Sequence, residues 1–296
     1  MNLTTYFKDF ENFLKLERNL SKNTIQSYRS DLKKFEVFLL KTNVEELKYI
    51  KPEIVREFLY EQSKKVTGKT QGRIISTLRS FYNFLVLEKI AENNPIEDID
   101  YPKIDSKVPF VLSTNEIDKI ILQASLTKFG ARNQTMIEVM YSCGLRVSEV
   151  IEMKISNIFF DESLIKVVGK GKKERFVPLS GIAKKLLYNY IEFERKESKF
   201  DKESVDIVFL NNRGGKLSRI MVYNIINDAA LAAEINSKIS PHTLRHSFAT
   251  HLIENGADII SIQKMMGHEN IVTTEKYLNV NKKHLVETVI KYHPRK

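Results

Sequence analysis

The stretch SPHTLRHSFATHL, Ser240 to Leu252, holds three of the chain's six histidines together with Arg245, and all six histidines lie at or after His242. Imidazoles gathered in this way serve a metal, a proton relay or a phosphate. Read as a helix with Ser240 as N-cap and Pro241 in its first turn, the stretch advances about 100° per residue. His242, Arg245 and His246 then share one side, Leu244, Phe248 and Leu252 face away from it, and His251 falls roughly opposite His242. The three histidines cannot meet on one metal from such a helix. His242 and His246 have the i, i+4 spacing of a zinc pair, but no Glu lies between them as in HExxH, and no nearby Cys or Asp completes a site. A helix N-terminus that carries His and Arg, in a stretch free of acids from Ile235 to Ile253, is instead a seat for a phosphate oxygen.

Three other stretches offer groups of the same kind. In YSCGLRVSEV, Gly144 ends one helix and Arg146 opens the next short one. In KMMGHENIVTTEKYL, Gly267 is a helix C-cap, His268 follows it, and Thr273 or Thr274 starts a helix that contains Tyr277. Between them SLIKVVGKGKKERFVPL, Ser163 to Leu179, sets two β-prone runs around GKGK, the signature of a hairpin whose turn is rich in lysine. Each has a plain structural alternative taken singly: a surface arginine, a packing tyrosine, a turn lysine.

The elements that must position these groups can be read from periodicity. In the first hundred residues Leu3, Phe7, Phe10 and Leu14 make one helical stripe, and Ile25, Tyr28, Leu32, Phe35 and Leu39 another. Pro52 suits the first turn of a third helix through Phe58 and Leu59. A fourth carries Ile74, Leu78, Phe81 and Leu85, with Arg73, Ser76 and Arg79 off the apolar side. The pattern lapses between Asn93 and Leu112, where Pro95, Pro102 and Pro109 mark a linker, and Ser113 with Glu116 offers a capping box that opens a new helix. The boundary is placed near Lys107, giving a helical domain over 1–107 and a second domain over 108–296. Helical patterns in the second domain run from about Ile182 to Phe193, from Arg219 to Ala233 and from Pro241 onward. The tail from Lys282 pairs Leu285 with Val289 and Val286 with Ile290. The expected fold is mainly α with a small antiparallel β-sheet.

Composition narrows the function classes. A chain of 296 residues with 42% apolar and 28% charged residues is globular and large enough to bury two cores without disulfides. Its single cysteine, Cys143, cannot form an internal bridge and fits a reducing compartment. No apolar run approaches the roughly 18 residues of a membrane span, and the N-terminal segment reads as neither signal nor anchor, so the expected place is the cytoplasm. The net charge of +10 points to an acidic partner, most simply nucleic acid. Both parts are basic, with 19 basic against 16 acidic residues up to Lys107 and 28 against 21 after it. From Lys64 to Leu87 there are five basic residues and no acid.

Taken in order, GLRVSE, GKG in a strand turn, HTLRH, GH, and a tyrosine nine residues after that histidine resemble the tyrosine recombinase (phage integrase) family, most nearly its XerC/XerD type, with the terminal YHPRK nearer the XerD side. NTIQSYRSDL, Asn23 to Leu32, resembles the family's N-terminal core-binding domain, so the likeness spans nearly the whole chain. The resemblance implies a C-shaped clamp of two domains around duplex DNA. It also implies strand exchange through a 3′-phosphotyrosyl intermediate, with no metal, ATP or other cofactor. Tyr277 matches the nucleophile, and Arg146 and Arg245 the two arginines that hold the phosphate. By motif register Lys170 matches the lysine that protonates the leaving 5′ oxygen, with Lys172 and Lys173 close enough in sequence to compete for that role. His242 and His268 complete the pattern as donors to the phosphate, with His242 a candidate base for the tyrosine. Cys143 before GLR, and Met265 and Met266 before GH, depart mildly from the commoner wording.

The same resemblance makes Thr24, Arg29, Arg73, Arg79, Lys172 and Lys173 the expected DNA contacts. It implies that residues 282–296 form an exchange tail, whose apolar spacing its own domain does not need and which docks on a neighbouring protomer. The expected assembly is a homo- or hetero-tetramer on a dif-like site with a second Xer-type recombinase, in the nucleoid-associated cytoplasm, with a DNA translocase as a further candidate partner. The expected role is resolution of chromosome dimers. A mobile-element integrase or transposase of the same family is one alternative, and the start of the sequence at the first core helix weighs against an added arm-binding domain. The other is a DNA-binding relative that has lost catalysis, against which the complete set of Arg146, Lys170, His242, Arg245, His268 and Tyr277 argues.

Overall fold

Six helices begin where the sequence supplies a hydroxyl. Ser21, Thr67, Ser113, Ser180, Ser218 and Ser240 each sit in extended backbone and accept a bond from the amide three residues on. Asp258 does the same for a seventh. Such caps satisfy one of the amides a helix start leaves without a partner. The computed structural model describes residues 3–42, 46–103, 110–169, 173–197, 200–267 and 281–295. They divide into two compact units, Met1–Lys107 and Val108–Lys296, each with its own apolar core.

The first unit is built from α1 (Leu3–Leu16), α2 (Lys22–Leu39), α3 (Pro52–Ser63) and α4 (Gly68–Leu87). Their apolar stripes meet in a core rich in phenylalanine: Phe10, Phe35, Phe58 and Phe81 have no exposed surface. Phe10 meets Phe81 edge to face at 5.3 Å, and Phe35 meets Phe58 at 5.0 Å. Each such ring contributes on the order of 2 kcal/mol by leaving water. Arg79 on α4 donates to the carbonyls of Ile96 and Ile99 at 3.2 and 2.7 Å and lies over the Tyr101 ring, tying the segment after α4 back onto it.

In the second unit α6 (Gly130–Ser142) is buried on every side, with Met136, Ile137, Val139, Met140 and Tyr141 at zero exposure. Helices α5 (Thr114–Ser125), α8 (Gly181–Asn189) and α10 (Pro241–Glu254) pack against it, and α9 (Arg219–Ala232) packs on α5. The capping box expected at Ser113 and Glu116 opens α5. The hairpin is present as β2 (Leu164–Val168) and β3 (Glu174–Pro178), antiparallel, with Leu164 opposite Pro178 and Val168 opposite Glu174. A short strand absent from the sequence reading, β1 (Ile158–Phe159), extends the sheet to the order β1-β2-β3. Two residues are too few to show an alternation. The short helix α7 (Val147–Ile151) and α11 (Ile259–Met266) complete the surroundings of the hairpin. No helix among the described residues is long and apolar enough to cross a membrane.

Part of the tail is used within its own unit. Helix α12 (Asn281–Tyr292) lies against its own unit, with Leu285 and Val289 part of that unit's core. Beyond it His293 is wholly buried beside the rings of Tyr141 and Phe248. Arg295 pairs with Asp118 and stands 3.5 Å from buried Glu138. The Leu285 and Val289 pair is therefore used within its own domain, where α12 packs on α10, α11 and β3, whereas Ile290 of the second pair is 56% exposed. Burial, with the positive charge of Arg295 and the neighbouring His251, pulls His293 down to about 3.

Candidate functional site

Gly144 turns the chain out of α6 with φ +59°, and a Cβ at that position would fall 2.4 Å from the Phe248 ring of α10. Only glycine meets both conditions, and the turn brings Arg146 alongside α10. Arg146 is the N-cap of α7 and Glu149 its third residue, so the Glu149 carboxylate reaches back to the Arg146 backbone N–H at 2.8 Å. This is one half of a capping box: the carboxylate at the third helical position reaches back, while the arginine at the cap, having no acceptor, returns no side-chain bond to the Glu149 amide. The Arg146 side chain also bonds Glu149, at 2.9 Å.

Glu149 receives more than Arg146. Arg175, on β3, donates through both terminal nitrogens to its two oxygens at 2.8 and 2.9 Å. Arg245, on the second turn of α10, stands 4.0 Å away. The Glu149 side chain is only 3% exposed. Burial alone would raise its pKa, but the bonds and charge of Arg175 and the bonds from Arg146 hold it below the ordinary carboxylate range. Arg245 is 4% exposed, and burial, with the like charge of Arg146, lowers it to about 10. It stays cationic at neutral pH.

The C-terminal end of α11 ties the three arginines together. Its last carbonyls have no partner within the helix and carry the negative end of the dipole. Met265 accepts from Arg175 at 2.8 Å, Met266 from Arg245 at 2.5 Å and Gly267 from Arg146 at 3.0 Å. Three consecutive carbonyls thus receive one guanidinium each. Arg245 is further fixed by the Gly144 carbonyl at 2.7 Å. Three positive charges face a single carboxylate, which leaves two in surplus, and Arg146, 40% exposed, opens the cluster to solvent. A rigid, buried array with unspent positive charge and free N–H groups is a receptor for an oxyanion, most of all one that gains charge as it reacts.

Of the expected site residues, Arg146 and Arg245 come together here. His242 lies exposed in the first turn of α10, one helical turn before Arg245. His251 is buried on the far side of that helix, bonded through Nδ1 to the Tyr141 hydroxyl at 2.8 Å, in keeping with its position opposite His242. Lys170, Lys172, His268 and Tyr277 lie outside the described residues. Lys173 is exposed at the foot of β3. Two members of the cluster, Glu149 and Arg175, were missed by sequence reasoning. Glu149 could have been found as the third residue after an N-cap within GLRVSE. Arg175, one of several basic residues in GKGKKER, carries no comparable signal. Among the described residues no group of three or more His, Cys, Asp or Glu could hold a metal ion.

Of the expected DNA contacts in the first unit, Arg29 presents its charge most openly, with Glu11 3.4 Å away. Thr24 lies in the first turn of α2, its hydroxyl bonded to that of Ser21. Arg73 is engaged with buried Asp31 and the Ser27 carbonyl, and Arg79 with the carbonyls described above.

Residues 111–284 match the Phage integrase family, and residues 7–89 match the Phage integrase, N-terminal SAM-like domain. The Tyrosine recombinase XerD of Staphylococcus saprophyticus is 39% identical over 295 residues, 99% of this chain and 100% of that protein. Among solved structures, that of XerA recombinase is 29% identical with a TM-score of 0.51, covering 100% of both chains. XerH site-specific recombinase bound to a palindromic difH substrate, a post-cleavage complex, is 25% identical with a TM-score of 0.71, covering 95% of this chain and 83% of that one.

Proposed function

Because this chain belongs to the phage integrase family, we propose that its arginine cluster holds the scissile phosphate of DNA while Tyr277 attacks it. The chain is a site-specific tyrosine recombinase that cuts and rejoins DNA strands. The observation that carries the assignment of the site is the surplus of guanidinium charge around Glu149. A phosphodiester carries one negative charge and its five-coordinate transition state two. The same surplus that binds the ground state therefore binds the transition state more tightly.

The steps follow from the groups. A tyrosine hydroxyl ordinarily titrates near 10 and needs a base at neutral pH; that of Tyr277 loses its proton to His242, and its oxygen forms a bond to phosphorus. The bond from phosphorus to the 5′ oxygen breaks, and that oxygen takes a proton from Lys170, or from Lys172 or Lys173 on the same turn. A 3′-phosphotyrosyl link remains. His268 and His242 donate to the non-bridging oxygens beside Arg146 and Arg245. The partner strand's 5′ hydroxyl then attacks the link, releasing Tyr277 and sealing the new junction. Because the energy of the broken bond is held in the link, neither ATP nor an activated water is required.

On DNA the units 1–107 and 108–296 would form the core-binding and catalytic halves of a clamp, with Arg29 and the lysines of the hairpin on the duplex. Four protomers, of this chain alone or with a second Xer-type recombinase, would assemble on a dif-like site. There the tail, 282–296, would dock on a neighbour in the seat it fills in its own unit, a swap that costs little because the contacts are the same. Likeness to XerD and to a XerH complex with difH supports chromosome dimer resolution in the cytoplasm over mobile-element integration. Mapping the chain's binding on its host chromosome tests this. One dominant site, two copies of which are resolved on a plasmid, is expected; binding confined to the ends of mobile elements would overturn the housekeeping role.

A further inference from the structure

Arg175 has no part in the chemistry just written, and all of its nitrogens are committed. Its Nε bonds the Met265 carbonyl and its two terminal nitrogens bond Glu149, with its side chain 13% exposed. It stands on β3, five residues after Lys170, and so joins the hairpin to two other segments of the site, α7 and the end of α11. We propose that Arg175 is a positioning residue for strand cleavage, setting both the free charge of Arg146 and the exit of α11 toward His268. This rests on the recombinase reading.

Two consequences of the geometry support it. Without Arg175, buried Glu149 would have Arg146 and Arg245 as its cationic neighbours, and a buried carboxylate left short of donors draws the nearest guanidinium into a closed pair. Arg146 would then turn its nitrogens inward, away from the phosphate, and the positive surplus would fall from two to one. The second consequence concerns the backbone. Gly267 has φ +64°, and a Cβ there would lie 3.2 Å from Cδ and Nε of Arg175. The chain is pressed onto the guanidinium one residue before His268. Because Met266 and Gly267 are held in turn by Arg245 and Arg146, a shift at Met265 is passed to both catalytic arginines, and small misplacements of such groups are costly.

The test uses the full chain and a nicked half-site DNA that traps the covalent adduct, with single-turnover cleavage read at saturating protein. Arg175→Gln removes the charge, and Arg175→Lys keeps it but replaces the planar fork that spans Met265 and both Glu149 oxygens with a point charge. Cleavage is expected to slow roughly 10- to 100-fold in Arg175→Gln, with Arg175→Lys intermediate and half-site affinity changed much less than the rate. The distinguishing readout is a methylphosphonate at the scissile position, which develops one negative charge fewer. If Arg175 acts through Arg146 on the phosphate oxygens, the defect shrinks on that substrate. Cleavage at the unsubstituted rate by either variant, or a defect of equal size on both substrates, would overturn the proposal. Should Arg175→Gln fail to fold, Arg175→Lys decides by the same two readouts. Absence of any adduct with the unsubstituted chain would sink the recombinase reading itself.

Discussion

Asp31 in the first unit and Glu149 in the second are both buried acids on helices that face arginine, yet their surroundings drive them in opposite directions. One oxygen of Asp31 accepts from Arg73 and from Thr77 at 3.1 Å. The other has no hydrogen-bond partner among the described residues, with Lys34 3.7 Å away. Burial outweighs the charge of Arg73, and the carboxyl is raised above its ordinary value. Glu149 takes four N–H donors, two on each oxygen, and is lowered. The ratio of charges differs as well. Arg73 is spent on Asp31, whereas three arginines share Glu149. An arginine beside a carboxylate therefore says little about function, while arginines that outnumber the carboxylate mark where an anion is to come.

The comparison is broken most severely by emptying one cluster at a time. Arg245→Ala should slow cleavage of a nicked half-site by about 10²- to 10³-fold, the usual cost of one transition-state donor, read in single turnover at saturating protein. Arg73→Ala should leave that rate unchanged and instead cost about 2–3 kcal/mol of stability by urea unfolding. That is the lower end for a broken buried pair, since the Arg73 side chain is 38% exposed. A cleavage defect in Arg73→Ala equal to that of Arg245→Ala would erase the distinction.

The pH dependence of stability sharpens it. His293, held neutral in the fold at about 3, takes up a proton in the unfolded chain near 6.5. Stability should therefore fall as pH drops below about 6.5, by up to ~1.4 kcal/mol per pH unit from this group, and His293→Phe should flatten that slope.

The two carboxylates should show smaller effects of opposite sign. Asp31 is raised above 3.8, so its native form keeps a proton that the unfolded chain has lost, and stability falls as pH rises through that window. Glu149 is lowered below 4.5, so its contribution is present above 4.5 and is lost as pH falls through its folded value. Asp31→Asn and Glu149→Gln should remove slopes of opposite direction in urea midpoints across the acid range. Slopes of the same direction would show that the two environments do not differ as described.

Much of this was legible in residue types and spacing. The Ser240 cap, the left-handed Gly267 and the end of α6 at Gly144 are local features, fixed by hydroxyls and glycines at definite offsets, and the structure has them. The opposition of His242 and His251 followed from helical angle alone. What the sequence concealed depends on tertiary contact. Arg175 is one of several basic residues around a turn, and only the fold singles it out by setting it against Glu149 and Met265. Arg73 and Arg79 looked like free surface charge in an acid-free stretch, but their partners, Asp31 and the carbonyls of Ile96 and Ile99, lie well away in sequence or on the backbone. The tail's apolar pairs looked alike in the sequence, and only the packing of α12 on α10, α11 and β3 separates the buried Leu285 and Val289 from the exposed Ile290.

The central claim is that the arginine cluster presents a DNA phosphate to Tyr277, and identifying the trapped adduct tests it most directly. The unsubstituted chain, incubated with a nicked half-site in the presence of a chelator, should become linked to the DNA 3′ end. After proteolysis the nucleotide should be found by mass spectrometry on the peptide containing Tyr277, with no adduct formed by Tyr277→Phe. Linkage to another residue, or cleavage that leaves free ends and no adduct, would contradict the account.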